Sequence, residues 1–414
     1  MNVVLLQRVD RWAGVPLCWT LTAVRKLFGR EPPNSMQAPR NILFVKLAEQ
    51  GSTVLAYAAL KRAVEMAGRE NVHFVAFEAN RFILDVLGII PRENVITVSV
   101  KGLPAFVRTM MVALRRIRAL RLEAAVDLEF FSRGSAALTF LSGAKRRAGF
   151  HSFFGDGPYR GDLMTHRLLY NPHLHTSQTF LSLVDALCCD AKLLPTSDLV
   201  PVASPAQAAQ IAFKPDDRAA VERIVYGRSM DRPPLILLNP NASDLIPLRR
   251  WRPECYVELA QRLLAKYPEI IVGLTGAPYE SATAGALVGR IGSERCVSFA
   301  GKTTLHQLLI LYTLADVLVT NDSGPAHFAT LTPVEVVTLF GPETPALFAA
   351  RTPRNTVLWA GLACSPCVSA YNNRLSHCRD NRCMQAITID QVFAAVCRAY
   401  EKKAAERKTL SVCS

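Results

Sequence analysis

Short apolar runs rich in β-branched residues recur along this chain, each followed by a stretch whose apolar positions lie three and four apart. The runs at 41–46, 73–77, 95–98 and 124–128 are mainly apolar at successive positions instead of alternating, the pattern of strands buried on both faces of a parallel sheet. Between them, 52–67 and 102–121 carry helical periodicity. After a proline-bearing stretch at 193–216 the alternation restarts. Strands are predicted at 235–239, 270–275, 297–299, 315–320 and 334–340, and helices at 253–266, 281–291 and 304–313. Strands alternating with helices predict an α/β fold with parallel sheets and crossover helices. Two such blocks in 414 residues predict two domains, 41–210 and 211–414, the second closing on a C-terminal helix.

The first 40 residues stand apart. Apolar residues from Val3 to Phe28 are interspersed with Arg8, Arg11, Arg25, Lys26 and Arg30. The longest uncharged run, 12–24, is too short to cross a bilayer but suits a helix lying in its interface, with Trp12 and Trp19 as anchors. A core helix packed on the following domain fits the same pattern. Pro16 predicts a kink, and the prolines of 31–40 a linker.

Composition narrows the function classes. Half the residues are apolar, so both domains have material for a packed core. A formal charge of +14 and a pI near 9.4 call for an anionic partner: a phosphate-bearing substrate, anionic lipid or nucleic acid. No zinc finger, RNP aromatic pair or basic recognition helix is present, which argues against nucleic acid. The arginines of the helix at 102–121 (Arg108, Arg115, Arg116, Arg118 and Arg121) read as a solvated face or a contact for an anionic acceptor. No transmembrane run or signal peptide is recognisable, so the expected location is the cytoplasm.

The densest chemistry lies at 314–331. A buried strand ends in Asn321-Asp322-Ser323-Gly324-Pro325, where Gly324 allows a tight turn and Asp322 or Ser323 can cap a helix starting near Pro325. His327 falls in its first turn. Strand, glycine turn and helix start make a phosphate-binding edge of an open sheet. The next strand also ends in a turn, Gly341-Pro342-Glu343-Thr344. Eleven cysteines are present, and Cys364, Cys367, Cys378 and Cys383 have spacing compatible with a structural zinc knuckle or with four free thiols packing a loop.

Asn321 to Ala329 followed by the Val336 to Pro342 strand and turn resembles the signature of glycosyltransferase family 9, the heptosyltransferases of lipopolysaccharide core assembly. The stretch Ile42 to Gly51 is similar to that family's first strand and glycine loop, Arg249-Arg250-Trp251 to its K-x-W segment, and Gly276 to Glu280 to its G-x-x-x-E. Tyr170 to His173 fits the end of its N-terminal domain. The resemblance covers about 41–395. It implies a GT-B fold, two Rossmann-like domains facing each other across a cleft, with the N-terminal amphipathic extension outside the family pattern. It further implies inverting, metal-independent transfer of a sugar, such as heptose from ADP-heptose, to a lipopolysaccharide-core or other glycolipid acceptor. The setting would be the anionic cytoplasmic face of a Gram-negative inner membrane, with peripheral attachment.

By the same resemblance Arg249, Glu280, Asp322, Ser323, Gly324 and His327 would bind the donor. Arg249 would neutralise phosphate and Glu280 accept ribose hydroxyls, while Lys46 and Gly51 would lie on the acceptor side. One departure stands out: where the family has an aspartate that deprotonates the acceptor, this chain has Ser52. A serine without a neighbouring base is a poor proton acceptor. The readings that follow are that Glu49 in the same loop serves, that Asp127 or Glu129 does, or that the chain has lapsed into binding a nucleotide sugar or glycolipid without transfer.

Overall fold

The mainly apolar runs form strands with no exposed face. The computed structural model describes residues 9–28, 36–151, 158–193, 195–196, 213–243, 245–372 and 374–412. They divide into two compact units, one of residues up to 203 with 369–375, the other of 204–368 with the residues from 376 onward.

In the first unit β1 (Ile42–Val45), β2 (Val72–Phe77), β3 (Val95–Val98), β4 (Ala124–Asp127), β5 (Arg146–Phe150) and β6 (His166–Leu168) form one parallel sheet in the order β3-β2-β1-β4-β5-β6. Ile42 of β1 lies opposite Val72 on one side and Ala124 on the other. The order reverses between β1 and β4, so the loops leaving these two strands diverge and open a crevice at their carboxyl ends.

The second unit repeats the plan. Here β7 (Leu235–Asn239), β8 (Ile271–Leu274), β9 (Cys296–Ser298), β10 (Val317–Asn321), β11 (Glu335–Phe340) and β12 (Asn355–Trp359) run parallel in the order β12-β11-β10-β7-β8-β9. The reversal falls between β7 and β10. The core joins Ile236, Val319 and Val337 of the sheet to Leu263 of the helix Pro253–Lys266, Leu287 of Ser281–Ile291 and Val396 of Ile389–Val412.

Three strands escape the apolar pattern. β5 opens on two arginines, a signal against burial, yet both guanidinium groups are absorbed by carbonyls. Arg146 donates to Gln37 and Leu187, and Arg147 to Leu163 and Ala144. β6 is only three residues long, and β12 is a half-buried edge strand. The helix expected at 52–67 is two, Gln50–Leu55 and Tyr57–Ala67, joined at Ala56.

Near the N-terminus residues 9–12 are helical, Ala13 is a turn and a helix Gly14–Phe28 follows. The break sits where Pro16 denies the Trp12 carbonyl its helical partner. Gly14, Cys18 and Thr22 repeat every fourth residue and dock this helix on Arg133–Leu141. A Cβ on Gly14 would meet Arg133 Cβ at 2.7 Å, so only glycine permits the approach. Asp10 accepts the N–H groups of Arg133 (3.2 Å) and Gly134 (2.7 Å), and Arg25 pairs with Asp162 at 2.7 Å. One face is therefore core, while Trp12, Trp19, Leu27 and Phe28 are exposed on the rest. Residues 1–8 and 29–35 of the predicted segment lie outside the described residues. Among those described, no helix is long and apolar enough to cross a membrane.

Candidate active site

Each sheet carries part of the candidate chemistry at its own reversal point. In the second unit β7 ends on Asn239 and β10 on Asn321. Asn321 is fully buried and its amide is completely used. Its Oδ1 accepts the Trp251 N–H (3.1 Å) and the Tyr256 hydroxyl (3.2 Å), and its Nδ2 donates to the carbonyls of Pro240 (3.1 Å) and Asn241 (3.2 Å). One side chain thus ties three loops together at the reversal. Trp251, buried by the same packing, fixes the short helical turn Pro247–Arg249 just before it.

That turn aims Arg249 at two nearly buried carboxylates. Arg249 Nε lies 3.4 Å from Asp322 Oδ2, and Nη2 pairs with Glu343 Oε2. The structure thus brings Arg249 and Asp322 together. It adds Glu343, from the turn after β11, which no sequence motif marks. Ser323 occupies the N-cap of the helix Gly324–Ala329, but its hydroxyl turns back to the Asn321 carbonyl (3.1 Å). Neither Ser323 nor Asp322 caps with its side chain, contrary to expectation. Gly324 is half-buried at the first helical position, and His327 is buried in that helix.

Glu280 also has a partner in its own turn. Its Oε2 accepts the Ala277 N–H at 2.6 Å, closing the turn Pro278–Glu280. Gly276 lies close by: a Cβ there would stand 2.8 Å from Asn241 Nδ2 and 3.1 Å from Glu280 Oε2. Glu280 and the β7 loop are therefore neighbours.

In the first unit the chain after β1 carries the buried Lys46, 3.7 Å from Glu129 Oε2 at the end of β4. Glu129 Oε1 accepts the Leu47 and Ala48 N–H groups (2.8 and 2.9 Å), which pins the loop to the neighbouring strand end. Glu49 then turns left-handed, φ 68°, and the helix Gln50–Leu55 begins with Gly51 in its first turn. Ser52 Oγ donates to Glu49 Oε2 at 3.2 Å, so the two residues singled out at this loop are in contact. Glu49 Oε1 pairs with Arg374.

The other two carboxylates are committed elsewhere. Asp127 is completely buried, bonded to Arg160 and, at 2.9 Å, to the Ser135 hydroxyl. Burial raises its carboxyl to about 6, against the opposing pull of Arg160. It cannot meet an acceptor hydroxyl. Glu129 is held by the loop it pins.

Of the two readings of the cysteine set, a zinc knuckle or free thiols packing a loop, the zinc knuckle gains no support. Among the described residues no three His, Cys, Asp or Glu side chains gather as a metal requires. Cys364 and Cys378 are exposed and Cys383 is buried. Cys378 Sγ donates to the Asp380 carbonyl (3.1 Å), and Cys367 Sγ accepts from Ser376 Oγ (3.3 Å). Burial raises the Cys383 thiol above its ordinary value.

The fold is GT-B, two doubly wound parallel sheets with flanking helices, and solved structures share it. The superposition on the Escherichia coli ADP-heptose lipopolysaccharide heptosyltransferase II has a TM-score of 0.67 at 18% identity, covering 88% of this chain and 99% of that one. A glycosyl transferase family 9 protein of Veillonella parvula gives 0.68 at 18% identity over 89% and 99%. The profile of glycosyltransferase family 9 (heptosyltransferase) matches residues 113–377. The chain belongs to that family. Among curated relatives, lipopolysaccharide heptosyltransferase 2 of Salmonella typhimurium is 33% identical over 123 residues, 29% of this chain and 34% of the relative. Lipooligosaccharide heptosyltransferase 2 of Haemophilus influenzae is 26% identical over 182 residues, 42% and 49%. The chain thus spans between about a third and a half of the length of the curated relatives it matches.

Proposed function

We propose that the chain is an inverting, metal-independent glycosyltransferase moving a sugar, heptose from ADP-heptose in the first instance, to a lipopolysaccharide-core or related glycolipid. The observation that carries this reading is the cationic Arg249 held at the β7/β10 reversal between Asp322 and Glu343. A nucleoside diphosphate leaves with negative charge, and a guanidinium prepositioned in a nearly dry edge stabilises that charge in the transition state. The Gly324 turn brings backbone N–H groups to the same edge, His327 is a further donor, and Glu280 stands beside the β7 loop for a ribose hydroxyl.

On the other side of the reaction Glu49 takes the proton. The acceptor oxygen attacks the anomeric carbon opposite the diphosphate. The bond from that carbon to the diphosphate breaks, its electron pair leaves with ADP, and the acceptor proton passes to the Glu49 carboxylate. Ser52 steers this carboxylate through their hydrogen bond, and Lys46 and Gly51 shape the acceptor loop. Metal-free single displacement carries over from the family motif.

The exposed Trp12, Trp19, Leu27 and Phe28, with Lys26 among them and a net charge of +14, support peripheral attachment to the anionic cytoplasmic face of an inner membrane. The test of the donor site is calorimetric titration of ADP-heptose into the wild type, Arg249→Ala and Asp322→Ala. The expectation is a clear loss of affinity in both variants with unchanged thermal unfolding. Equal affinity in all three proteins contradicts the assignment.

A further inference from the structure

The cysteine-bearing loop, left without a role by its thiols, delivers one side chain to the acceptor loop of the first unit. Residues 369–375 belong to that unit although they lie late in the chain. Tyr371 anchors them. Its ring lies 5.2 Å from that of Tyr170 and 5.6 Å from that of Phe131, and its hydroxyl donates to the Tyr170 carbonyl at 2.6 Å. Three residues on, Arg374 adopts φ 58°, a left-handed conformation that a non-glycine residue rarely takes, with its N–H on the Ser369 carbonyl at 2.9 Å. From there its guanidinium, 6.0 Å from the Phe130 ring centroid, pairs with Glu49 Oε1. Glu49 is itself left-handed. Two uncommon backbone conformations thus meet in one ion pair, a pattern typical of sites whose geometry is held by their surroundings.

We propose that Arg374 is a positioning residue for sugar transfer: it keeps the Glu49 carboxylate ionised and oriented so that Oε2, the oxygen shared with Ser52, can take a proton. Among the described residues, the other groups around this loop are engaged with partners of their own. Lys46, from the end of β1, faces Glu129, from the end of β4. Asp127, on β4, is neutralised by Arg160. Gln50, next in the loop, spends its amide on the Ala79 carbonyl. The guanidinium favours the ionised carboxylate by opposite charge and by a charge-assisted hydrogen bond. The inference rests on Glu49 being the base, so its test reads the carboxylate independently of turnover.

The experiment is a carbon-13 NMR titration of glutamate-labelled full chain as wild type, Arg374→Gln, Arg374→Lys and Tyr371→Leu. The Glu49 signal is assigned by its loss in Glu49→Gln. Arg374→Gln should raise the Glu49 midpoint by about one pH unit, the low end of the effect of an adjacent cation on a carboxylate. Arg374→Lys should keep most of the wild-type value. Tyr371→Leu loosens the segment but keeps the charge, and should move the midpoint less than Arg374→Gln. With ADP-heptose and truncated core glycolipids, the acid limb of the rate profile should move up with the midpoint, kcat falling and the KM for ADP-heptose holding. An unchanged midpoint in Arg374→Gln overturns the proposal whatever the rates do. A shifted midpoint together with wild-type turnover in Glu49→Gln overturns the base assignment and leaves the ion pair standing.

Discussion

Asn321, Arg249 and Glu49 show how much one side chain decides at each sheet edge. Asn321→Ala would strand a Trp251 N–H and two carbonyls in a buried place. We expect a loss of about 3 kcal/mol or more in chemical unfolding, since three groups lose their partner and each unsatisfied buried group costs about 1–3 kcal/mol. Asp127 carries a pH signature. Its native carboxyl is raised to about 6, while an unfolded aspartate titrates near about 3.9. The native state therefore holds the proton more tightly. This contribution is complete below the unfolded value and is lost as pH rises through about 6. The stability gap between wild type and Asp127→Asn should widen on going from pH 7 to pH 5, by roughly 1 kcal/mol. A gap that narrows would contradict it.

The residues the sequence revealed were those in contiguous motifs: Asp322, Gly324 and His327 beside one strand end, Glu49 and Ser52 beside another. Glu343 and Arg374 were hidden because their partners are distant in the chain. Nothing local to Arg374 signals that its loop folds back upon the first unit.

At the scale of elements, uniform hydrophobicity made the central strands plain and left β5 unseen, because arginines in a strand are tolerated only when carbonyls elsewhere absorb them. The N-terminal helix illustrates the limit of amphipathic reading. Its docking face is made of small residues, Gly14, Cys18 and Thr22, which carry almost no hydrophobic signal, while the large apolar residues that dominate the pattern point outward. Two kinds of substitution should therefore separate. Gly14→Leu drives a side chain into Arg133 and should cost about 1–3 kcal/mol by overpacking. A Trp19→Glu, Leu27→Glu pair should leave the unfolding temperature nearly unchanged and weaken sedimentation with anionic liposomes severalfold. Retained liposome binding by the pair would remove the helix from the membrane contact. Simple deletion of the segment is a poorer test, because Asp10 and Arg25 are bonded into the first unit.

At the scale of the molecule, the twin doubly wound sheets follow from two blocks of strand–helix alternation, and the reversal point of each sheet says where its chemistry should lie. The identity of sugar and acceptor depends on pocket walls drawn from several loops, which no short motif encodes. The central question is whether this family member, with Ser52 at the position of the usual base, still transfers sugar through Glu49. The direct measurement is acceptor-dependent release of ADP from ADP-heptose, with truncated lipopolysaccharide-core glycolipids, by wild type, Glu49→Gln and Glu49→Gln with Ser52→Asp. The expectation is release by the wild type, a fall of about 10²–10⁴ in Glu49→Gln, the usual worth of a general base, and partial recovery in the double variant at unchanged donor affinity. Release by Glu49→Gln at the wild-type rate, or donor binding by the wild type with no acceptor-dependent release, would contradict it.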